Sequence, residues 1–327
     1  MRIVAFGGGH GLAASLRALR LLKAKLDLDL TAVVTVGDDG GSSGRLRADR
    51  GGLPPGDLRQ ALAALADPDD PVGMHAADLL QYRFPGEDPL GGHAVGNLLL
   101  TGLMELTDNP VLALERARDL VRAVGRVLPM SPHPVSLEAT VRGDDPTQPD
   151  RISTVRGQHA LAVTPGSVTD VRLIPAEPTV CAEAVDAVHS ADWLVFGPGS
   201  WFTSVIPHLM VPELRDALVR TPARTAVVLN LAPQPGETEG FSPHKHLEVL
   251  AGHAPALTVD VVLADARAAG TGNLADLEKA AAVLGARLVM ADVAAADGTP
   301  RHDPRLLAGM YAQIFTGAQG GSDGAWR

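Results

Sequence analysis

Two short apolar runs that break off into glycine constrain this chain more than any other feature. RIVAF (2–6) stops at Gly7-Gly8-Gly9-His10-Gly11, and TAVVTV (31–36) stops at GDDGGSSG. Runs so short and so continuous read as strands buried on both faces, as in parallel sheets. Between them Leu12, Leu16, Leu19 and Leu22 recur at helical spacing. Strand, glycine loop, helix, strand and polar loop in that order open a doubly wound α/β sheet.

The pattern returns further on. DWLVF (192–196) runs into GPGS, TAVVLN (225–230) into LAPQPGET, and VDVVLAD (259–265) precedes a helical stretch near 273–284. RLVMAD (287–292) supplies a last strand. Helical spacing predicts helices over 57–66, 71–83, 97–106 and 110–124. From about 126 to 175 the alternation has period two (VSLEATV, ISTV, VTDVRLI), which predicts a small antiparallel β insertion. No repeat or long linker interrupts this, so residues 1–316 are expected to form one nucleotide-binding domain. Residues 317–327, GAQGGSDGAWR, read as a disordered tail.

Composition narrows the function. A net charge of −10 lacks the basic footprint of a phosphate-backbone binder, and aromatics at 3% leave no base-stacking surface, so no nucleic acid is expected. The lone Cys181 excludes an internal disulfide and any multi-cysteine cluster, and its apolar surroundings suggest packing. No apolar run reaches the ~18 residues of a membrane span, and the start is too short for a signal peptide. The expectation is a cytoplasmic protein with no membrane partner.

Ligands of open α/β sheets bind at the carboxyl ends of strands, and here those ends carry the unusual residues. Gly8, Gly9, His10 and Gly11 let the backbone turn tightly and present N–H groups to a phosphate at a helix start. Gly9-x-Gly11-x-x-Ala14 fits the dinucleotide fingerprint, but Asp38 stands about 30 residues on where about 20 is usual, so NAD is poorly supported. Asp38 and Asp39 suit Mg²⁺ or a ribose, while Ser42 and Ser43 suit phosphate oxygens; an Asp-Gly turn alone also accounts for the segment. Gly40-x-Ser42-x-Gly44 matches a hydrolase nucleophile elbow, yet the two aspartates before it would oppose an oxyanion.

LPPGDLRQAL puts Asp57 at a helix N-cap, with Arg59 in the first turn where the helix dipole does not favour it, a hint of an anionic ligand. His93 and Asn97 sit in a glycine-rich loop before an apolar helix, where Asn97 serves equally as a plain cap. Gly197, Gly199 and Ser200 form a second candidate phosphate loop, with Thr203 and Ser204 just beyond and Asn230 ending a neighbouring strand. His244-x-His246 lacks a third ligand at metal spacing and reads as a surface pair. No GxxxxGK[ST] occurs.

Taken in order, VAFGGGHGL, VVTVGDDGGSSGRLR, PPGDLRQAL, FPGEDPLGGHAVGNLLL, FGPGSWFTSVIPHLMVP, PGETEGF and RHD (301–303) span the chain nearly end to end. Together they resemble the gluconeogenesis factor (YvcK-like) family, within the wider group of CofD-like 2-phospho-L-lactate transferases. The resemblance implies a Rossmann-like cytoplasmic factor that binds UDP-N-acetylglucosamine or a related nucleotide and supports gluconeogenic growth, cell shape and wall synthesis. It implies that Gly8 to Gly11 embrace a diphosphate and that Asp38 and Asp39 match the acidic pair beside a divalent metal in the transferase cousins. Asn97 and Gly197 to Ser200 would line the same cleft, and Arg301 would touch the nucleotide-sugar. His10 departs from the family's usual Thr, residues from about 265 to 300 match weakly, and Pro304 follows RHD where relatives can carry a hydroxyl.

Two functions of different kinds follow. One is a sensor that binds a nucleotide-sugar without turnover, acting through a regulatory protein partner that the sequence leaves unidentified, as a homo-oligomer if the chain self-associates. The other is a Mg²⁺-dependent transferase moving a phospholactyl group from a nucleotide-linked donor. No general base is placed by any spacing, so binding is favoured over catalysis.

Overall fold

The computed structural model describes residues 1–145, 147–234, 237–270 and 274–317. Strand β1 (Arg2–Gly7) leads through α1 (Gly9–Leu26) to β2 (Asp29–Val34). A run of helices follows: α2 (Gly41–Arg50), α3 (Pro55–Leu65), α4 (Pro71–Gln81), α5 (Val95–Thr107) and α6 (Pro110–Val121). Then come β3 (Arg126–Pro129), β4 (Ser136–Arg142), β5 (Ile152–Arg156), α7 (Gln158–Ala162) and β6 (Ser167–Ile174). The chain returns through α8 (Ala182–Ser190) to β7 (Trp193–Phe196), two irregular helical turns (Trp201–Val205 and Ile206–Met210), α9 (Pro212–Arg220) and β8 (Arg224–Val228). It closes with α10 (Pro243–His253), β9 (Val261–Asp265), α11 (Ala266–Ala269), α12 (Leu274–Val283), β10 (Arg287–Ala291) and α13 (Pro304–Thr316).

Seven strands form one parallel sheet in the order β10-β9-β8-β7-β1-β2-β3. The chain moves outward from β1 through β2 to β3, then returns to the other side of β1 for β7 and moves outward the opposite way. That reversal puts the topological switch point between β1 and β7, where such sheets open a crevice at their carboxyl ends. Val4, Phe6, Leu194 and Phe196 are buried along with their neighbours, so both faces of the central strands are covered. Phe6 and Phe196 stack at 4.8 Å between ring centroids, closing the core just beneath the switch point.

The predicted β insertion divides in two. Only β4, β5 and β6 make the antiparallel sheet, in the order β5-β4-β6. Arg126–Pro129 instead pairs in parallel with β2 as the edge of the main sheet. Its Val127, Leu128 and Pro129 are all buried, a continuous run rather than an alternating one. The segment read as a loop after Asp39 is also different: Gly41–Arg50 is helical, so Ser42 and Ser43 lie in a first helical turn. Cys181 is buried and caps α8 at its N-terminus. His246 is buried and packs edge-on to Trp201 and Phe241, so the expected surface pair with His244 is not formed. Residues 318–327, most of the expected disordered tail, lie outside the described residues. Among the described residues no helix is long and apolar enough to cross a membrane.

Helix α13 is bound to α1 by a buried hydroxyl pair, Ser15 Oγ and Tyr311 OH, 2.7 Å apart. Tyr311→Phe leaves the Ser15 hydroxyl unpaired in the core and is expected to lower unfolding stability by about 1–3 kcal/mol. The double variant Ser15→Ala/Tyr311→Phe should recover part of that loss in urea denaturation. A double variant as unstable as the sum of the two singles would show that the hydroxyls are not coupled.

Candidate functional site: a crevice between two glycine loops

Helix α1 starts at Gly9 with Gly8, which has no side chain to cap it, as its N-cap; its first turn has no acidic residue, and only the Gly9 N–H is taken, by the Asp57 carboxylate. Its exposed N–H groups and the dipole's positive end therefore face the crevice. The loop is pressed between backbones. A Cβ on Gly11 would fall 2.5 Å from Gly199 Cα and closer still to Pro198 O, and one on Gly8 would fall 2.7 Å from Thr35 Cγ2 and closer to Asp57 Oδ2. Glycine is required at both places because the obstructing atoms include backbone and buried side chains.

Asp57 is the charge nearest this loop. It is the third residue of α3, whose N-cap is Pro54, so the cap expected of Asp57 is not its role. The ring of Pro54 sets the entry into the helix, and Asp57 is turned inward beneath the glycine loop. Its Oδ2 is buried and meets no hydrogen-bond donor. Burial pushes its pKa up to about 7 and nearby Asp38 adds to the rise; a hydrogen bond from the Gly9 backbone and the charge of Arg59 oppose it. Asp38 is half-buried, takes the Gly40 N–H at 2.9 Å, and places Oδ2 where a Cβ on Gly56 would meet it at 2.9 Å. Ser43 Oγ lies at the same spot beneath α3.

Asp39 belongs elsewhere. It is exposed and accepts the His159 N–H at 2.8 Å, tying α2 to the antiparallel sheet. The carboxylates that converge are thus Asp38 and Asp57. A buried, unpartnered oxygen beside a second carboxylate fits a small hard cation, which Mg²⁺ is when ligand phosphates complete its shell. Among the described residues no group of three or more His, Cys, Asp or Glu is placed to hold a metal by protein ligands alone.

A directed hydrogen-bond chain runs from α3 to the loop before α5. Arg59 Nε donates to Asn97 Oδ1 at 2.8 Å, Asn97 Nδ2 donates to Ser42 Oγ at 2.9 Å, and Ser42 Oγ lies 2.9 Å from His93 Nδ1. Arg can only donate, so the Asn97 amide is oriented by it, and the one Ser42 hydrogen is left for His93 Nδ1. Burial lowers the pKa of His93, and the charges of Arg45 and Arg83 lower it further against the opposing charge of Asp49. Asn97 is the third residue of α5, with Ala94 as the N-cap, so it is part of this chain and not a cap.

The second glycine loop is already filled. Glu237 accepts the Thr203 N–H at 2.8 Å and the Ser200 hydroxyl, and Thr203 Oγ1 donates to Ser200 Oγ at 2.6 Å. Burial raises the pKa of Glu237. Asn230 clasps Gly199 from both ends of its amide, accepting its N–H at 2.9 Å and donating to its carbonyl at 2.8 Å. Gly197, Gly199, Ser200, Thr203 and Asn230 therefore form a rigid wall, with an internal carboxylate where a phosphate had been expected. Glu237 lies in the quoted PGETEGF segment, but no spacing links it to Ser200, and only the folded chain brings them together.

Two predicted residues stand apart. His10 is exposed at the mouth of the crevice. Arg301 is exposed and paired with Asp297 at 2.9 Å and with Thr299 Oγ1 at 3.0 Å, without contact to the glycine loop. Its neighbour His302 is buried and bonds to the backbone of Leu229, which fixes that segment near the end of β8.

The model of the 2-phospho-L-lactate transferase CofD family matches residues 3–297. A candidate gluconeogenesis factor of Mycobacterium tuberculosis is 50% identical over 322 residues, 98% of this chain and 92% of that one. The gluconeogenesis factor of Listeria monocytogenes is 36% identical over 262 residues, 80% of this chain and 76% of that one. A crystal structure of a UPF0052 family member from Bacillus halodurans superposes with a TM-score of 0.82 at 29% identity, over 95% of this chain and 98% of its own.

Asp57 makes stability depend on pH. Its folded pKa is raised from 3.8 to about 7, so the folded state prefers the protonated form and loses stability as pH rises from about 4 through about 7. Asp57→Asn removes that penalty. The variant is expected to be more stable than the parent by a few kcal/mol at pH 8 and by clearly less at pH 5 in urea denaturation. An equal change at both pH values would contradict a buried, proton-binding Asp57.

Proposed function

This chain belongs to the gluconeogenesis factor family within the CofD group, and from that premise we propose that it binds a nucleotide-sugar, UDP-N-acetylglucosamine first of all, without turning it over. The observation that carries this is the start of α1 at the switch point, with a glycine as its N-cap and no acidic residue in its first turn, walled by Pro198 and Gly199. Backbone N–H groups there meet a diphosphate with both hydrogen bonds and helix dipole. Mg²⁺, where it accompanies the nucleotide, would be held by Asp38 and Asp57 and would neutralise diphosphate charge. The Arg59–Asn97–Ser42–His93 chain fixes the opposite wall, so its polar atoms need little reordering when ligand enters.

The binding serves regulation in the cytoplasm: growth on gluconeogenic carbon, cell shape and wall synthesis respond to occupancy of the crevice. Arg301 is the contact from the C-terminal loop, reaching the nucleotide-sugar once it exchanges its exposed pairing with Asp297 for the ligand. An exposed ion pair of this kind contributes little, so the exchange is inexpensive. The transferase reading draws on the family match itself, whose description names that activity. Its test is product formation from a phospholactyl dinucleotide and a deazaflavin, abolished when Mg²⁺ is removed.

Calorimetric titration with UDP-N-acetylglucosamine, with and without Mg²⁺ and with GDP and NAD as comparisons, decides between them. The expected result is saturable binding of the UDP-sugar, unchanged ligand recovered afterwards, and affinity weakened about tenfold or more by Gly11→Ala. Binding of GDP with Mg²⁺ but not of the UDP-sugar would overturn the sensor reading.

A further inference from the structure

A broad, open depression of the surface is lined by Asp39, Ser42, Arg45, Arg83, Gly91 and Gly92. The chain is acidic overall, at −10, yet two arginines line this depression, Arg45 from α2 and Arg83 from just beyond α4.

Neither Arg45 nor Arg83 has a carboxylate within ion-pair distance among the described residues. Arg45 Nη2 donates to Gly91 O at 2.7 Å, and Arg83 Nη1 donates to Gly92 O. Two adjacent carbonyls thus position two guanidinium groups, each with five N–H donors, of which these bonds use one apiece. Both arginines are exposed, and the donors that these carbonyls do not use are open to an anion entering the depression. Asp39, which also lines the depression, accepts the His159 N–H and makes no ion pair with either arginine among the described residues.

We propose that this arginine-lined depression is a second anion subsite, which takes the compact oxyanion, phosphate or carboxylate, of a second small ligand while the nucleotide occupies the glycine loop. The planar guanidinium fork matches such a group with paired hydrogen bonds. Ser42 lines the depression, and its hydroxyl is hydrogen-bonded with Asn97 and His93. The statement that two ligands share one cleft rests on the function proposed above; the anion subsite itself does not.

Inorganic phosphate is the probe, titrated calorimetrically at constant ionic strength against chloride, with and without saturating UDP-N-acetylglucosamine. Phosphate should bind in both conditions. Arg45→Gln/Arg83→Gln should weaken phosphate about tenfold or more while changing UDP-sugar affinity by less than about threefold, and Arg45→Lys/Arg83→Lys should fall between, because it keeps charge and loses the fork. Three results would overturn the subsite: no phosphate binding in the parent, equal binding in the folded Gln variant, or displacement of phosphate by the UDP-sugar. Failure of the UDP-sugar to bind, with the phosphate results intact, would remove the proposed nucleotide and leave the subsite standing.

Discussion

The backbone of Gly11 lies so close to Pro198 and Gly199 that no Cβ fits between them, and the rest of the site is arranged around that approach. It brings the loop after β1 against the loop after β7 at the point where the sheet reverses direction. Only with the two loops in contact does α1 present its first N–H groups to a narrow crevice. Stacked Phe6 and Phe196 beneath, and the Asn230 clasp on Gly199 beside it, keep the approach fixed. The crevice is a consequence of main-chain packing, and side chains refine its electrostatics.

Those electrostatics are asymmetric. Under the glycine loop sit two carboxylates, one with an orphaned oxygen, while Arg45 and Arg83 are held on backbone carbonyls with no ion pair among the described residues. Burial of the Asp57 carboxylate works against folding when the site is empty. Functional sites commonly retain such locally unfavourable groups. Glu237 shows the contrasting case. Its carboxylate is surrounded by donors from Ser200 and Thr203, so the second glycine loop is satisfied internally and acts as a wall.

Much of the fold was legible because the relevant signals are local. Short apolar runs marked the strands β1, β2 and β7–β10 to within a few residues, those of β1, β2 and β7 ending in glycine, and periodicity located α1 and α3–α6. The errors are informative. Gly41–Arg50 is rich in glycine and serine, so its helix comes from packing beside α3 and α5 and not from propensity. Arg126–Pro129 joined an alternating segment in the sequence but belongs to the main sheet, because pairing with β2 buries it on both sides. At the site, the residue types were readable and their partners were not. Arg59 and Asn97 are 38 residues apart, and Ser200 and Glu237 are 37 apart, distances that only tertiary closure bridges. The same limit made Asp39 look like the partner of Asp38, a place that Asp57 takes in the folded chain.

Backbone amide chemical shifts followed during titration with UDP-N-acetylglucosamine test the central claim most directly. If the nucleotide's diphosphate lies on the start of α1, the largest changes will fall on Gly9, His10 and Gly11. The Thr203 amide, already donating to Glu237, will move little. Saturable binding with unchanged Gly9–Gly11 amides, or with Thr203 as the main responder, would contradict the account and place the ligand elsewhere.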